Sequence, residues 1–323
     1  MKSSKSFFKT PLILGCGSLG GLHALNLYLK KRKTASHLLG TDRGQFYPWQ
    51  HGNVFYRKYG DGEIPLLLLH SVSETSCSYE WHAVTNTLAK RFHVFVVDLP
   101  GCGRSDKNAH EYTNYLYVSF VTSFLRDVVG KPAVIVASGM AAAVAVTAAH
   151  ADPSAVSGII LINPPSTEML AQVPDQKSTL LRRLVATPII GECLYHILTS
   201  RRELEYLYQE KIFYNPFRLD EKTVTVLQEA ACSGKGSGRY LRASLDGRLM
   251  NWNINRILGL LTCNVDLIFS EKLPETIKDS ASYQEHCPNA NIHIIPSVGV
   301  LPQLEKPEVF CEVIKSCRSV QGR

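Results

Sequence analysis

No two cysteines in this chain are spaced as Cys-x-x-Cys, and no segment repeats or falls to low complexity. The nine cysteines stand at 16, 77, 102, 193, 232, 263, 287, 311 and 317. An odd number at irregular spacing indicates neither a disulfide framework nor a zinc site, so no metal is expected. Buried free thiols in a reducing compartment are the expectation that remains. A basic surface suited to nucleic acid is lacking too. The formal charge is +7, but residues 1–33 hold Lys2, Lys5, Lys9, Lys30, Lys31, Arg32 and Lys33 and no acidic residue. From residue 34 onward, 28 basic residues face 28 acidic ones. A neutral body argues against a nucleic-acid partner, and basicity confined to a leader speaks of membranes or targeting.

What is present begins with that leader. Pro11 to Leu29 reads PLILGCGSLGGLHALNLYL, with three basic residues before it and four after. A helix of this length, at about 1.5 Å per residue, covers roughly the 30 Å hydrocarbon core of a bilayer. Gly15, Gly17, Gly20 and Gly21 give the small-residue spacing of helices that pack closely in lipid. His23 and Asn26 weaken the segment, and a cleaved signal peptide or a basic amphipathic tail are the alternatives. Residues 1–33 are therefore expected to associate the protein with a membrane, its body on the cytoplasmic side.

Residues 34–50 read as a linker. Beyond it, short apolar runs alternate with helical spacing. Val54–Tyr59, Leu66–His70, His93–Asp98, Ala133–Ala137, Gly158–Asn163, Val265–Ser270 and Asn291–Ile295 have the length and residue types of buried strands. Tyr79–Lys90, Asn114–Val129 and Met140–Ala151 carry apolar residues at helical spacing, and Pro307 opens a last helix. Such alternation predicts an α/β fold, a doubly wound and mostly parallel sheet. Residues 165–262 contain no convincing strand and read as helices, including Lys177–Ala186, Arg201–Phe213, Glu221–Cys232 and Tyr240–Leu249. They divide the core into 51–164 and 263–323.

Three segments carry a resemblance. Val96-Val97-Asp98-Leu99-Pro100-Gly101-Cys102-Gly103-Arg104-Ser105-Asp106 follows the Leu66–His70 strand. Val134-Ile135-Val136-Ala137-Ser138-Gly139-Met140-Ala141-Ala142 has the form strand, sharp turn, helix. Gly299-Val300-Leu301-Pro302 precedes the last helix. In this order and spacing the chain resembles the α/β-hydrolase family from about residue 52 to its end. The resemblance implies that the helical insertion, between what are the family's sixth and seventh strands, is the family's cap.

It also implies where a catalytic triad would sit. The nucleophile position at the turn is Gly139, in Ala137-Ser138-Gly139-Met140-Ala141. The acid position after the seventh strand is Leu273, with Glu271 and Glu275 nearby. The histidine position is Val300, and no histidine follows His293. Acyl transfer needs a hydroxyl at the turn, an imidazole to accept its proton and a carboxylate to orient that imidazole. No catalytic residue is therefore expected at these positions, and no cofactor. The pocket beneath the cap would be floored by His70, Ser71, Val72, Ser138, Gly139, Met140 and Val300. Such a floor suits a small apolar ligand, and the cap offers a face to a protein partner. The expectation is a non-catalytic ligand-binding or scaffolding protein. The alternative is a hydrolase of small esters or lipids with a displaced nucleophile, Ser138 or Cys102 being considered for that part. A carboxylate or histidine within hydrogen-bond reach of Ser71, Ser138 or Cys102 discriminates the two.

Overall fold

The structure, a computed structural model, describes residues 21, 26, 38–40, 43–234, 236–271 and 276–321. Eight strands form one sheet: β1 (Gln45–Trp49), β2 (Gly52–Tyr59), β3 (Pro65–Leu69), β4 (His93–Val97), β5 (Ala133–Ser138), β6 (Val156–Ile162), β7 (Asn264–Ser270) and β8 (Asn291–Ile295). Their order is β1-β2-β4-β3-β5-β6-β7-β8. The pairs β1–β2 and β2–β4 are antiparallel, and every pair from β4–β3 to β7–β8 is parallel.

The central strands read as continuous apolar runs because both faces of the sheet are covered. Leu67, Leu69, Phe95, Val97, Ile135 and Ala137 point into one layer. Leu66, Leu68, Val94, Val96, Val134 and Val136 point into the other. Full burial of each of these side chains other than Ala137 contributes about 1.5–3 kcal/mol. Helices α1 (Asn114–Phe124) and α2 (Ala141–Ala151) supply Tyr117, Phe120, Val121 and a row of alanines to the first layer. The alanines let α2 lie close against β5 and β6. The second layer is closed by Trp81, Val84 and Leu88 and by Phe310, Cys311 and Ile314 of the C-terminal helix.

Between β6 and β7 the chain builds the cap from α3 (Gln176–Ala186), α4 (Ile190–Leu198), α5 (Arg201–Leu207), α6 (Glu221–Cys232) and α7 (Gly238–Asp246). Helix starts are set by local chemistry. The Asp175 carboxylate accepts from Ser178 N at 2.7 Å while the Ser178 hydroxyl accepts from Asp175 N at 2.9 Å. Asp220 caps α6 through Thr223 N at 2.7 Å. These are the reciprocal and single N-caps that Asp favours. After the cap come α8 (Thr276–His286) and α9 (Pro307–Ser316), the latter opened by proline as expected.

Two expectations are corrected. The linker read over 34–50 contains strand β1 and a turn at Leu38–Gly40. Gln45–Trp49 was hidden because its side chains are mostly exposed and Pro48 is a residue that only an edge strand accommodates. The helix read over Tyr79–Lys90 is broken into two single turns, Ser78–Trp81 and Thr85–Leu88. That break turns Glu80 into the protein, where it is buried. The anchor read over 1–33 lies outside the described residues except at Gly21 and Asn26, and Asn26 donates to Ile189 O at 3.0 Å. No helix among the described residues is long and apolar enough to cross a membrane.

The loop after β4 is organised by Asp98, which is fully buried. Its carboxylate accepts from Ser78 N at 2.6 Å and Arg104 N at 2.8 Å, with Arg104 Nε 3.6 Å away. Asp98→Ala would remove the carboxylate acceptor from the N–H groups of Ser78 and Arg104 and the negative charge beside the Arg104 guanidinium. We expect the variant to lose about 3 kcal/mol of stability, read as a lower urea midpoint at unchanged slope.

Candidate active site

Strand β5 delivers Ser138 and Gly139 to the carboxyl edge of the sheet, where the chain turns sharply into α2. Gly139 adopts φ +53°, a left-handed conformation that glycine enters at little cost. The first turn of α2 has no side-chain cap at Met140, and Ala142 N donates to Gly139 O at 3.0 Å across the turn. Against the turn comes Ser71, the second residue beyond β3. A Cβ placed on Gly139 would lie 2.5 Å from Ser71 Oγ. The two positions share one small volume, and Ser71 fills it. Ser71 is partly exposed, whereas Ser138 is buried.

Beside both serines is the carboxyl of Glu80. Its Oε2 accepts from Ser71 N at 3.1 Å, and its Oε1 accepts from Gln303 Nε2 at 2.7 Å. Burial pushes this carboxyl up to about 7, even though Ser138, Ser71 and Gln303 pull it down. The Ser138 hydroxyl faces it without forming a hydrogen bond of ordinary length. Glu80 is thus half-ionised near neutral pH, the condition that suits a general base. It was missed in the sequence because Tyr79–Lys90 reads as a continuous surface helix.

The other expected pocket residues fall into distinct roles. His70 is fully buried, and burial lowers its pKa. Its Nδ1 lies 2.8 Å from Ser71 O, and its Nε2 accepts from Leu99 N at 3.0 Å. Both ring nitrogens are occupied by backbone, so His70 fixes the β3 and β4 loops and is not free to move a proton. Val72 is buried in the core, and Met140 packs against the same cluster. Cys102 is also buried: its Sγ donates to Ser73 O at 3.3 Å, and burial pushes the thiol up to about 12. At neutral pH it is neither ionised nor accessible.

Val300 belongs to a loop held between sheet and cap. Its N–H donates to Ile212 O at 2.7 Å, and its carbonyl accepts from Asn163 Nδ2 at 2.8 Å. Its side chain packs with Ile212, Tyr208 and Phe213 of the cap. The buried Glu305 carboxylate ties this loop to the cap by accepting from Gly299 N at 2.5 Å and from Tyr214 N at 2.9 Å. Leu273 lies outside the described residues, as does Glu275. Glu271 is exposed and accepts from Ser297 N at 3.0 Å.

Strand, left-handed turn and uncapped helix at the carboxyl edge of a parallel sheet are the framework of a hydrolase of this fold. A model described as the alpha/beta hydrolase family matches residues 66–313, and the chain belongs to that family. It is similar to the pimeloyl-(acyl-carrier protein) methyl ester esterase of Wigglesworthia glossinidia brevipalpis, 23% identical over 270 residues, covering 81% of this chain and 96% of the esterase. Among solved structures, a bacterial membrane phospholipase A superposes with a TM-score of 0.68 at 17% identity, covering 96% of this chain and 97% of that one. A thermophilic esterase from Thermogutta terrifontis superposes with a TM-score of 0.66 at 18% identity, covering 85% and 97%. At such identities the structural likenesses define the fold.

The expectation of a non-catalytic binding or scaffolding protein is corrected by these matches, because the relative aligned over most of the chain is an esterase and the superposed proteins are hydrolases. The physical source of the error is also visible. The expectation rested on the side chains at 139, 273 and 300 and found no partner for Ser138 or Cys102, whereas the carboxylate near Ser71 and Ser138 that marks the alternative is present as Glu80.

Proposed function

We propose that the protein hydrolyses small carboxylic esters or lipid acyl esters, with the nucleophilic hydroxyl carried by Ser71 instead of by position 139. The observation that supports this most is the exchange across the elbow. The resemblance puts the nucleophile at position 139, where this chain has glycine, and the Ser71 hydroxyl fills the space a side chain at 139 would enter. Glu80 takes the part of the base. In this reading Ser71 Oγ attacks the ester carbonyl carbon as Glu80 accepts the hydroxyl proton. The N–H of Met140, at the uncapped start of α2, faces the developing oxyanion. Collapse expels the alcohol, which takes its proton from Glu80. Water deprotonated by Glu80 then releases the acid from the acyl-serine. Gln303 holds the carboxyl in place by its hydrogen bond. The apolar cluster of Val300, Leu301, Tyr208 and Phe213 beneath the cap suits an acyl chain.

The test is turnover of p-nitrophenyl butyrate by the full chain between pH 5 and 9. The expected profile rises with pH as Glu80 loses its proton around 7. Absence of turnover, or turnover that is unchanged in Ser71→Ala, would remove this reading.

A further inference from the structure

A second cluster of chemistry-bearing side chains lies in the first half of β7, away from the elbow. Asp266 of β7, His293 of β8 and Cys317, just after α9, bring one oxygen, one nitrogen and one sulfur within 4.8 Å of one another. We propose that these three residues bind a zinc ion that fastens the C-terminal segment to the edge of the sheet.

The first support is geometric. Tetrahedral zinc holds oxygen at about 2.0 Å, imidazole nitrogen at about 2.0–2.1 Å and thiolate sulfur at about 2.3 Å, which separates nitrogen from oxygen by about 3.3 Å and nitrogen from sulfur by about 3.6 Å. Here His293 Nε2 lies 3.2 Å from Asp266 Oδ1 and 3.7 Å from Cys317 Sγ. The two donor–donor edges that meet at His293 Nε2 thus have the lengths of such a tetrahedron, and the third, oxygen to sulfur, lies within 4.8 Å.

The second support is an unresolved competition at one atom. His293 Nε2 faces Asp266 Oδ1 and, at 2.8 Å, Asn291 Nδ2. A ring nitrogen either donates or accepts. As a donor it meets the carboxylate but opposes the amide N–H; as an acceptor it meets the amide but turns a lone pair on the carboxylate. A cation removes the conflict by taking the ring lone pair and the carboxylate together, in place of the Asn291 amide that donates to Asp266 Oδ1 at 3.0 Å, while Arg318 N donates to the same oxygen at 3.2 Å. The Cys317 thiol gives its proton to solvent as the zinc–sulfur bond forms.

The surroundings suit a resident ion. The other carboxylate oxygen, Asp266 Oδ2, accepts from Ser319 N at 2.8 Å and from Ser319 Oγ at 2.6 Å, which fixes the ligand in the manner of an outer shell. Asp266 and Cys317 are fully buried, and the His293 side chain is 18% exposed, which provides an entry path. A water, or the Asn291 amide oxygen after rotation of that amide, completes four ligands.

The test uses the full chain, stripped with chelator and titrated with zinc sulfate and, separately, with cobalt chloride. The expected result is about one zinc per chain and a cobalt complex with near-ultraviolet thiolate-to-cobalt absorption. Cys317→Ser, which changes one atom, should abolish that absorption and weaken zinc at least about 100-fold while circular dichroism stays unchanged. His293→Ala should weaken zinc similarly, and Cys317→Ser carries the test alone if that variant does not fold. Failure of the wild type to bind zinc, or equal binding by Cys317→Ser, overturns the proposal.

Discussion

Ser71→Ala is expected to lower kcat/KM for a small ester by about 10³–10⁶-fold, leaving only what substrate binding and the oxyanion donors provide. The effect should be this large because Ser71 carries the hydroxyl that occupies the volume at position 139. Ser138 is buried one residue before the turn, and Cys102 is buried and held protonated. The more informative variant moves the oxygen. Gly139→Ser alone should be both inactive and less stable, by about 1–3 kcal/mol, since a side chain there meets Ser71 Oγ and sits at positive φ. Adding Ser71→Gly vacates the shared volume. The double variant Ser71→Gly/Gly139→Ser should recover stability relative to Gly139→Ser, and the two changes should be strongly non-additive, as expected for groups in contact. Urea denaturation of the four proteins in this cycle measures the coupling.

Glu80→Gln should lower kcat/KM by about 10²–10⁴-fold and flatten the rise of activity through pH 7, because the amide keeps the volume and the hydrogen-bond reach but cannot accept a proton. The same residue sets a pH dependence of stability, and its sign is opposite to that of a salt-bridged acid. Burial raises the Glu80 carboxyl to about 7 from its ordinary value of 4.5. Between those values the folded protein holds a proton that the unfolded chain has released. Stability is therefore greatest below about pH 4.5 so far as this group is concerned, and it falls by about 3 kcal/mol as pH rises past 7. Glu80→Gln should remove that slope and be the more stable protein at pH 8. Activity and stability thus move in opposite directions with pH, and the urea midpoints of the two proteins at pH 5 and pH 8 test the link.

Much of the frame was legible in the residues. Runs such as Leu66–Leu69 and Val94–Val97 announce strands covered on both faces, and Pro307 marks the last helix. The cap was legible as a long stretch without strands between β6 and β7. Strand β1 was not, because exposed edge positions and Pro48 erase the apolar signal that identifies a strand. The site divides along the same line. The elbow and its glycine could be placed from Ala137-Ser138-Gly139-Met140-Ala141, since small residues and a sharp turn are local features. Glu80 could not. Its burial depends on a break between Ser78–Trp81 and Thr85–Leu88 that leaves no proline or glycine in the sequence, and on Gln303, 223 residues away in the chain. The proximity of Ser71 to Gly139 is likewise a fact of tertiary structure. So is the meeting of Asp266, His293 and Cys317, whose spacing along the chain resembles no metal motif.

Fluorophosphonate labelling of the full chain, followed by peptide mass spectrometry, tests the displaced-nucleophile mechanism most directly. The predicted result is a single adduct on Ser71 that is lost in Ser71→Ala and strongly reduced in Glu80→Gln. No adduct on the wild-type protein, or an adduct on Ser138 with Ser71 unmodified, would contradict it.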